Sequence, residues 1–230
     1  NSSKYSKQIE ELYYNGYTIV DGKFDNEIKY IKKIYNNIYN NQIKIFKGKK
    51  IIDPYVIKSP LIYDKVFEKI ATNNILINIM KQILGKNYIL LMQNVNITKA
   101  KRKNNASSWH RDLNYQHWIS SKPIAFNALF TIDDFSIENG CTCVLPSTHK
   151  FEEFPSDFYV KKNQKYLEAS AGRIIILNAM LYHKAGVNKT NKDRVGINHV
   201  IGLPFLSQQI NLPNSLGENR YKVNSFKYNY

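Results

Sequence analysis

The sequence predicts a mainly β protein, a β-sandwich or jelly roll buttressed by helices on its N-terminal side. Three observations carry that reading. Apolar residues recur at helical spacing up to about residue 86. From residue 87 the period changes, and runs rich in β-branched and aromatic residues take over. Turn chemistry separates those runs. Helices followed by many strands suit a layered β core with a helical cover.

The elements follow in order. Ile9, Leu12 and Tyr13 recur at helical spacing, and Asn15-Gly16 stops that helix. Tyr17-Thr18-Ile19-Val20 reads as a strand. Asp25 is expected to cap the next helix, whose stripe Ile28, Ile31, Ile34, Tyr35 and Ile38 is a core face. Two further helices are expected over 63–70 and 74–84, the second ended by Gly85. Strands are expected over 88–97, 123–133, 141–145, 172–177 and 195–203. Asn139-Gly140 and Asn188-Lys189-Thr190-Asn191 supply turns. No linker divides the chain. One domain is expected, with a helical buttress over about 1–86, a jelly-roll core over about 87–205 and a C-terminal extension over about 206–230.

The 230 residues are enough to bury a sizeable core, and 43% hydrophobic with 13% aromatic content fits a folded chain. No window reaches the roughly 18 apolar residues of a membrane span. The chain opens at Asn1 with no charged-then-apolar leader, so a trimmed piece is expected. The net charge is +15, yet only Arg102, Arg111, Arg173, Arg194 and Arg220 are arginines. A nucleic-acid binder favours that planar fork, so a solvated lysine surface is the simpler reading, with an anionic metabolite as a candidate partner. Cys141 and Cys143 form a C-x-C, too close for an easy mutual disulfide and too few for zinc. Two small buried thiols in a reducing compartment are expected, and with them a cytoplasmic location.

The stretch SSWHRDLNY holds His110 and Asp112 two residues apart. An ordinary surface dipeptide is one explanation. If residues 108–113 are extended, both side chains share a face and can reach one metal ion. Of His117, His149, His183 and His199, His183 is the best third ligand, because it follows the apolar strand at 172–177 near a turn. Two imidazoles and one carboxylate form the facial triad suited to Fe(II), with open positions for a co-substrate and O₂. Arg194 could bind the distal carboxylate of a 2-oxoacid from a strand running beside that of His183, or form a surface pair with Asp193. His117 and His199 read as structural or surface residues, and His149 as an organiser of the loop after Cys143.

Taken together, these segments resemble the phytanoyl-CoA dioxygenase family of Fe(II)/2-oxoglutarate oxygenases. The likeness rests on LYYNGYTIVDGKFDNE, LMQNVNITKA, WHRDLNY, FNALFTIDDFSIENGCTCVLPSTHK and AGRIIILNAMLYHKAGVNKTNKDRVGINH. It implies a double-stranded β-helix, cupin-like. It implies iron ligation by His110, Asp112 and His183 and binding of 2-oxoglutarate by Arg194. Further co-substrate contacts are expected at Gln93, Asn127 and Thr131, the last two on one strand face with Leu129, where the family commonly carries an aromatic. Trp109, Arg111, Tyr115, Trp118 and Tyr182 are candidates for the substrate side. Gly172-Arg173 and His183-Lys184-Ala185 depart from the family's Gly-Asp and small-residue patterns, and Pro146-Ser147-Thr148-His149 lacks the usual glycine. Because Asp112 keeps its carboxylate, no place for halide is left, which argues against the halogenating branch.

The expected activity is hydroxylation of a C–H bond in a small-molecule metabolite, with succinate and CO₂ formed from 2-oxoglutarate. The competing readings are the same iron site with desaturation or ring closure, action on a nucleic acid or protein side chain, and a non-catalytic basic β-sandwich that binds anions or nucleic acid.

Overall fold

Residues 4–45, 53–102, 105–113 and 119–217 are described by the computed structural model. Tyr115, His117, Trp118 and Arg220 lie outside them. The first apolar stripe winds α1 (Ser6–Tyr14), which buries Leu12. Gly16 follows at φ +82°, a left-handed angle that costs glycine little. After β1 (Tyr17–Asp21) comes α2 (Asp25–Ile45). Asp25 is the first residue of that helix and not its cap; with Glu27 it places carboxylates in the first turn, where the helix dipole favours them. Next come β2 (Val56–Lys58), α3 (Lys65–Ala71) and α4 (Asn74–Leu84). The Asp64 side chain caps α3 by accepting from the Val66 N–H. Asn73 caps α4 through the Ile75 and Leu76 N–H groups. Its amide nitrogen also donates to Gly22 O at 2.8 Å, tying the cap to the turn after β1.

The remaining elements are β3 (Ile89–Thr98), β4 (Ala125–Thr131), β5 (Thr142–Val144), α5 (Asp157–Asn163), β6 (Lys165–Leu167), β7 (Arg173–Asn178), β8 (His183–Ala185), β9 (Arg194–Gly202) and α6 (Leu212–Leu216). The strands form a six-stranded sheet in the order β1-β7-β4-β9-β3-β2 and a three-stranded sheet in the order β6-β5-β8. All pairings are antiparallel. The N-terminal region is thus more than a buttress, since β1 and β2 are the two edge strands of the large sheet.

The large sheet is covered on both faces, which explains its unbroken apolar runs. Ile174 and Ile176 of β7 join Phe126, Phe130, Val195 and Ile197 in the core shared with the helices. Ile175 and Leu177 face the other way, toward Cys141, Val144, Leu167 and Leu181 of the small sheet and its turns. Cys141 and Cys143 are free and buried, and burial pushes their thiols up to about 12 and about 11. They are inert protonated groups. Among the described residues no helix is long and apolar enough to cross a membrane.

Candidate metal centre and co-substrate pocket

Backbone pairing assembles the site. The segment around His110 lies antiparallel along β8, with His110 N–H donating to His183 O and His183 N–H to His110 O, both at 3.0 Å. Asp112 N–H donates to Ala179 O at 3.0 Å, in the turn that follows β7. An antiparallel partner residue projects to the same side, so the two imidazoles meet with ring centroids 4.4 Å apart. Asp112 lies two residues on and shares that side. One ligand atom from each of His110, Asp112 and His183 lies within 4.8 Å of the others. His183 Nε2 is 3.6 Å from Asp112 Oδ1.

The imidazoles are oriented through their other nitrogens. His110 Nδ1 lies 2.9 Å from Ser108 O, and His183 Nδ1 lies 3.0 Å from Leu181 O. A carbonyl only accepts, so each Nδ1 carries the proton and each Nε2 presents a lone pair. Burial first, then the neighbouring His183, lowers the pKa of His110 below the ordinary imidazole range and keeps it neutral. Asn127 Nδ2 donates to Asp112 Oδ2 at 2.8 Å, leaving Oδ1 turned toward the imidazoles. Two bare imidazole nitrogens and one held carboxylate oxygen fit a first-row divalent ion such as Fe(II), and with no thiolate in reach they do not suit a closed zinc site.

The three residues border a cavity of about 580 Å³ between the sheets, which Arg194 also lines. Arg194 begins β9, whose neighbours are β3 and β4. It therefore does not run beside the His183 strand; the two face each other from different sheets. Arg194 Nη2 donates to Thr98 Oγ1 at 2.8 Å and to Gly140 O at 3.1 Å, and Nε donates to Asn139 O at 3.2 Å. The guanidinium lies over the Phe135 ring, 3.8 Å from its centroid. It is only 7% exposed, and burial lowers its pKa to about 10. The surface pair with Asp193 does not form: Asp193 accepts from Lys99 Nζ at 2.5 Å. Among the described residues the buried Arg194 has no carboxylate partner, an expensive arrangement unless an anion joins it.

Four sequence-based expectations are corrected. Gln93 is fully buried on the helical side of β3, where it accepts from Leu61 N–H and donates to Phe67 O and His199 Nε2. The cavity side of that strand carries Asn94, Asn96 and Thr98 instead. Thr131 shares a strand face with Asn127, but its hydroxyl is taken up by the backbone of Ser170 and Arg173. Arg111 is buried away from the cavity; it donates to Thr148 O, Phe151 O and Glu152 O and stacks on Tyr182. Tyr182 is thereby a structural partner. Trp109 flanks the site, half-buried between Phe154 and the Lys184 ammonium, which sits 4.4 Å from its ring centroid. His149 holds the Ser147–Lys150 turn against α1 through Tyr13 O. The missed lining residues had a signal: Asn94, Asn96 and Thr98 alternate with Val95 and Ile97 at period two.

This two-sheet antiparallel fold carries a His/Asp/His donor set able to hold one metal ion. The profile described as Phytanoyl-CoA dioxygenase (PhyH) matches residues 13–196, and the chain belongs to that family. Uncharacterized proteins of Mycobacterium bovis (Mb1539) and Mycobacterium tuberculosis (Rv1501) are 28% identical over 168 residues, covering 71% of this chain and 61% of each relative. The chain thus spans about three fifths of their length. Among solved structures, EctD from S. alaskensis with 2-oxoglutarate and 5-hydroxyectoine has a TM-score of 0.73 at 16% identity, covering 86% of this chain and 76% of that one. The epimerase SnoN in complex with Fe3+, alpha ketoglutarate and nogalamycin RO has a TM-score of 0.66 at 16% identity, covering 86% and 82%.

Proposed function

We propose that this chain is a 2-oxoglutarate-dependent dioxygenase that hydroxylates a C–H bond of a small-molecule metabolite. The balance is substrate R–H, 2-oxoglutarate and O₂ in, and R–OH, succinate and CO₂ out. One observation carries the reading. A His110/Asp112/His183 donor set and a buried Arg194, without a carboxylate partner among the described residues, border the same cavity.

In this reading His110 and His183 hold ferrous iron through Nε2, and Asp112 holds it through Oδ1. When bound, the iron supplies the redox chemistry that couples decarboxylation of 2-oxoglutarate to oxidation of the substrate. Arg194 binds the distal carboxylate through Nη1, its Nε and Nη2 already fixed by Asn139, Thr98 and Gly140. Little ordering then remains to be done on binding. The sheet walls exclude water and fix the target carbon. Of the cations lining the cavity, Lys58 is paired with Asp53 and Lys99 with Asp193, which leaves Arg102, along with Arg194, to favour a substrate of anionic character.

The test is release of succinate from 2-oxoglutarate with Fe(II) under a screen of metabolites. His110→Ala and Asp112→Ala should each abolish both Fe(II) binding and succinate release while the far-UV spectrum is retained. Full turnover in either variant removes the ligand assignment.

A further inference from the structure

The oxygenase reading leaves open what the cavity holds besides the co-substrate, and three buried amides speak to that. Elsewhere among the described residues the oxygens of buried amides have partners. Gln93 uses both its ends as described above, and Gln42 donates to Val56 O while accepting from Lys58 N–H. Asn188 donates to Thr98 O and Lys192 O and accepts from Thr190. The amide oxygens enclosed without a partner among the described residues belong to Asn94, Asn127 and Asn198, and all three residues line the cavity.

Asn127 already serves Asp112. Asn94 and Asn198 do not serve the metal ligands. They face each other as a cross-strand pair on β3 and β9. They are 5% and 8% exposed. The side chain of Asn94 reaches only the Met92 sulfur, at 3.1 Å, and that of Asn198 makes no hydrogen bond among the described residues. No strong bond locks either amide, so each can turn about its Cβ–Cγ bond and offer the cavity a carbonyl or an NH₂. Lys58 continues the same row onto β2.

Resting on the oxygenase reading, we propose that Asn94 and Asn198 are specificity contacts and that the substrate is hydroxyl-rich, with a sugar or cyclitol skeleton. A hydroxyl both donates and accepts, so it satisfies an amide in either orientation. A long acyl chain would leave both amides dehydrated against methylenes, which is unfavourable.

The test uses the intact chain loaded with Mn(II) and 2-oxoglutarate. Ligand-observed NMR probes an equimolar mixture of glucose, glucose 6-phosphate, myo-inositol and sucrose, with palmitoyl-CoA in a separate arm. At least one hydroxylated component should bind. Its affinity should fall tenfold or more in Asn94→Leu and Asn198→Leu, and in the matching alanine variants. The Kd values for Mn(II) and 2-oxoglutarate should stay within twofold, and the leucine variants should melt no lower than the parent. Binding of palmitoyl-CoA alone, or of no hydroxylated component, overturns the proposal. A variant that loses 2-oxoglutarate affinity also overturns it, by assigning the amides to the co-substrate. A parent protein that binds neither Mn(II) nor 2-oxoglutarate overturns the oxygenase reading itself.

Discussion

Asp112 offers a metal two oxygens, and Asn127 engages one of them. The 2.8 Å bond to Oδ2 fixes the carboxylate plane and leaves Oδ1 for the ion. Groups that orient metal ligands in this way are worth roughly 10–100-fold in metal affinity. Asn127→Ala should weaken Fe(II) or Mn(II) binding by about that factor while the metal-free protein keeps its fold, as calorimetric titration can show. Unchanged affinity would mean that Asp112 is held by its backbone alone. Arg194→Ala should weaken 2-oxoglutarate by the order of 2–5 kcal/mol typical of losing one partner from a buried charged contact. Arg194→Lys should recover little of it, since an ammonium cannot keep the bonds to Thr98, Asn139 and Gly140 and still reach the co-substrate. Both are read from the apparent affinity for 2-oxoglutarate in succinate assays.

At the scale of single elements, the caps carry separable stability. Asn73 serves two N–H groups of α4 and the Gly22 carbonyl at once, and the cavity lies on the far side of the sheet from it. Asn73→Ala should cost roughly 1–2 kcal/mol in denaturant unfolding and leave metal affinity unchanged. Long periodic elements were legible in the sequence: α1, α4, β3, β7 and β9 lie close to their expected spans. The strands β2, β6 and β8 are three residues each, too short for a period to declare itself. Their existence follows from long-range pairing, which no local pattern encodes. The HxD motif was legible because a carboxylate and an imidazole at strand spacing share a face. Gln93 misled for a related reason: a period of two gives the alternation but not its phase, and a shift of one residue exchanges the helical side for the cavity side. Arg111 misled through its neighbours, since sequence proximity to His110 says nothing about the carbonyls of residues 148–152 that its guanidinium serves.

For the molecule as a whole, three imidazoles set the response to acid. Burial lowers the pKa values of His110 and His149, and it takes His199 from its ordinary 6.5 to about 3. His199 lies between the sheet and the helices, against Phe130 and Gln93. The unfolded chain takes up a proton there below about pH 6.5, whereas the folded chain takes none until about pH 3. Stability should therefore fall as pH drops through that window, with more protons bound by the unfolded state. Urea unfolding midpoints at pH 7 and pH 5 check this, and a midpoint that rises on acidification contradicts it. The placement of Arg194 on β9 and of His183 on β8 has its own consequence. In the proposed complex, one end of the dicarboxylate belongs to each sheet, so the gap between the sheets acts as a caliper for carbon-chain length. Oxaloacetate, one carbon shorter, could touch one jaw but not both, and replacing core side chains between the sheets should alter which keto acid the enzyme accepts.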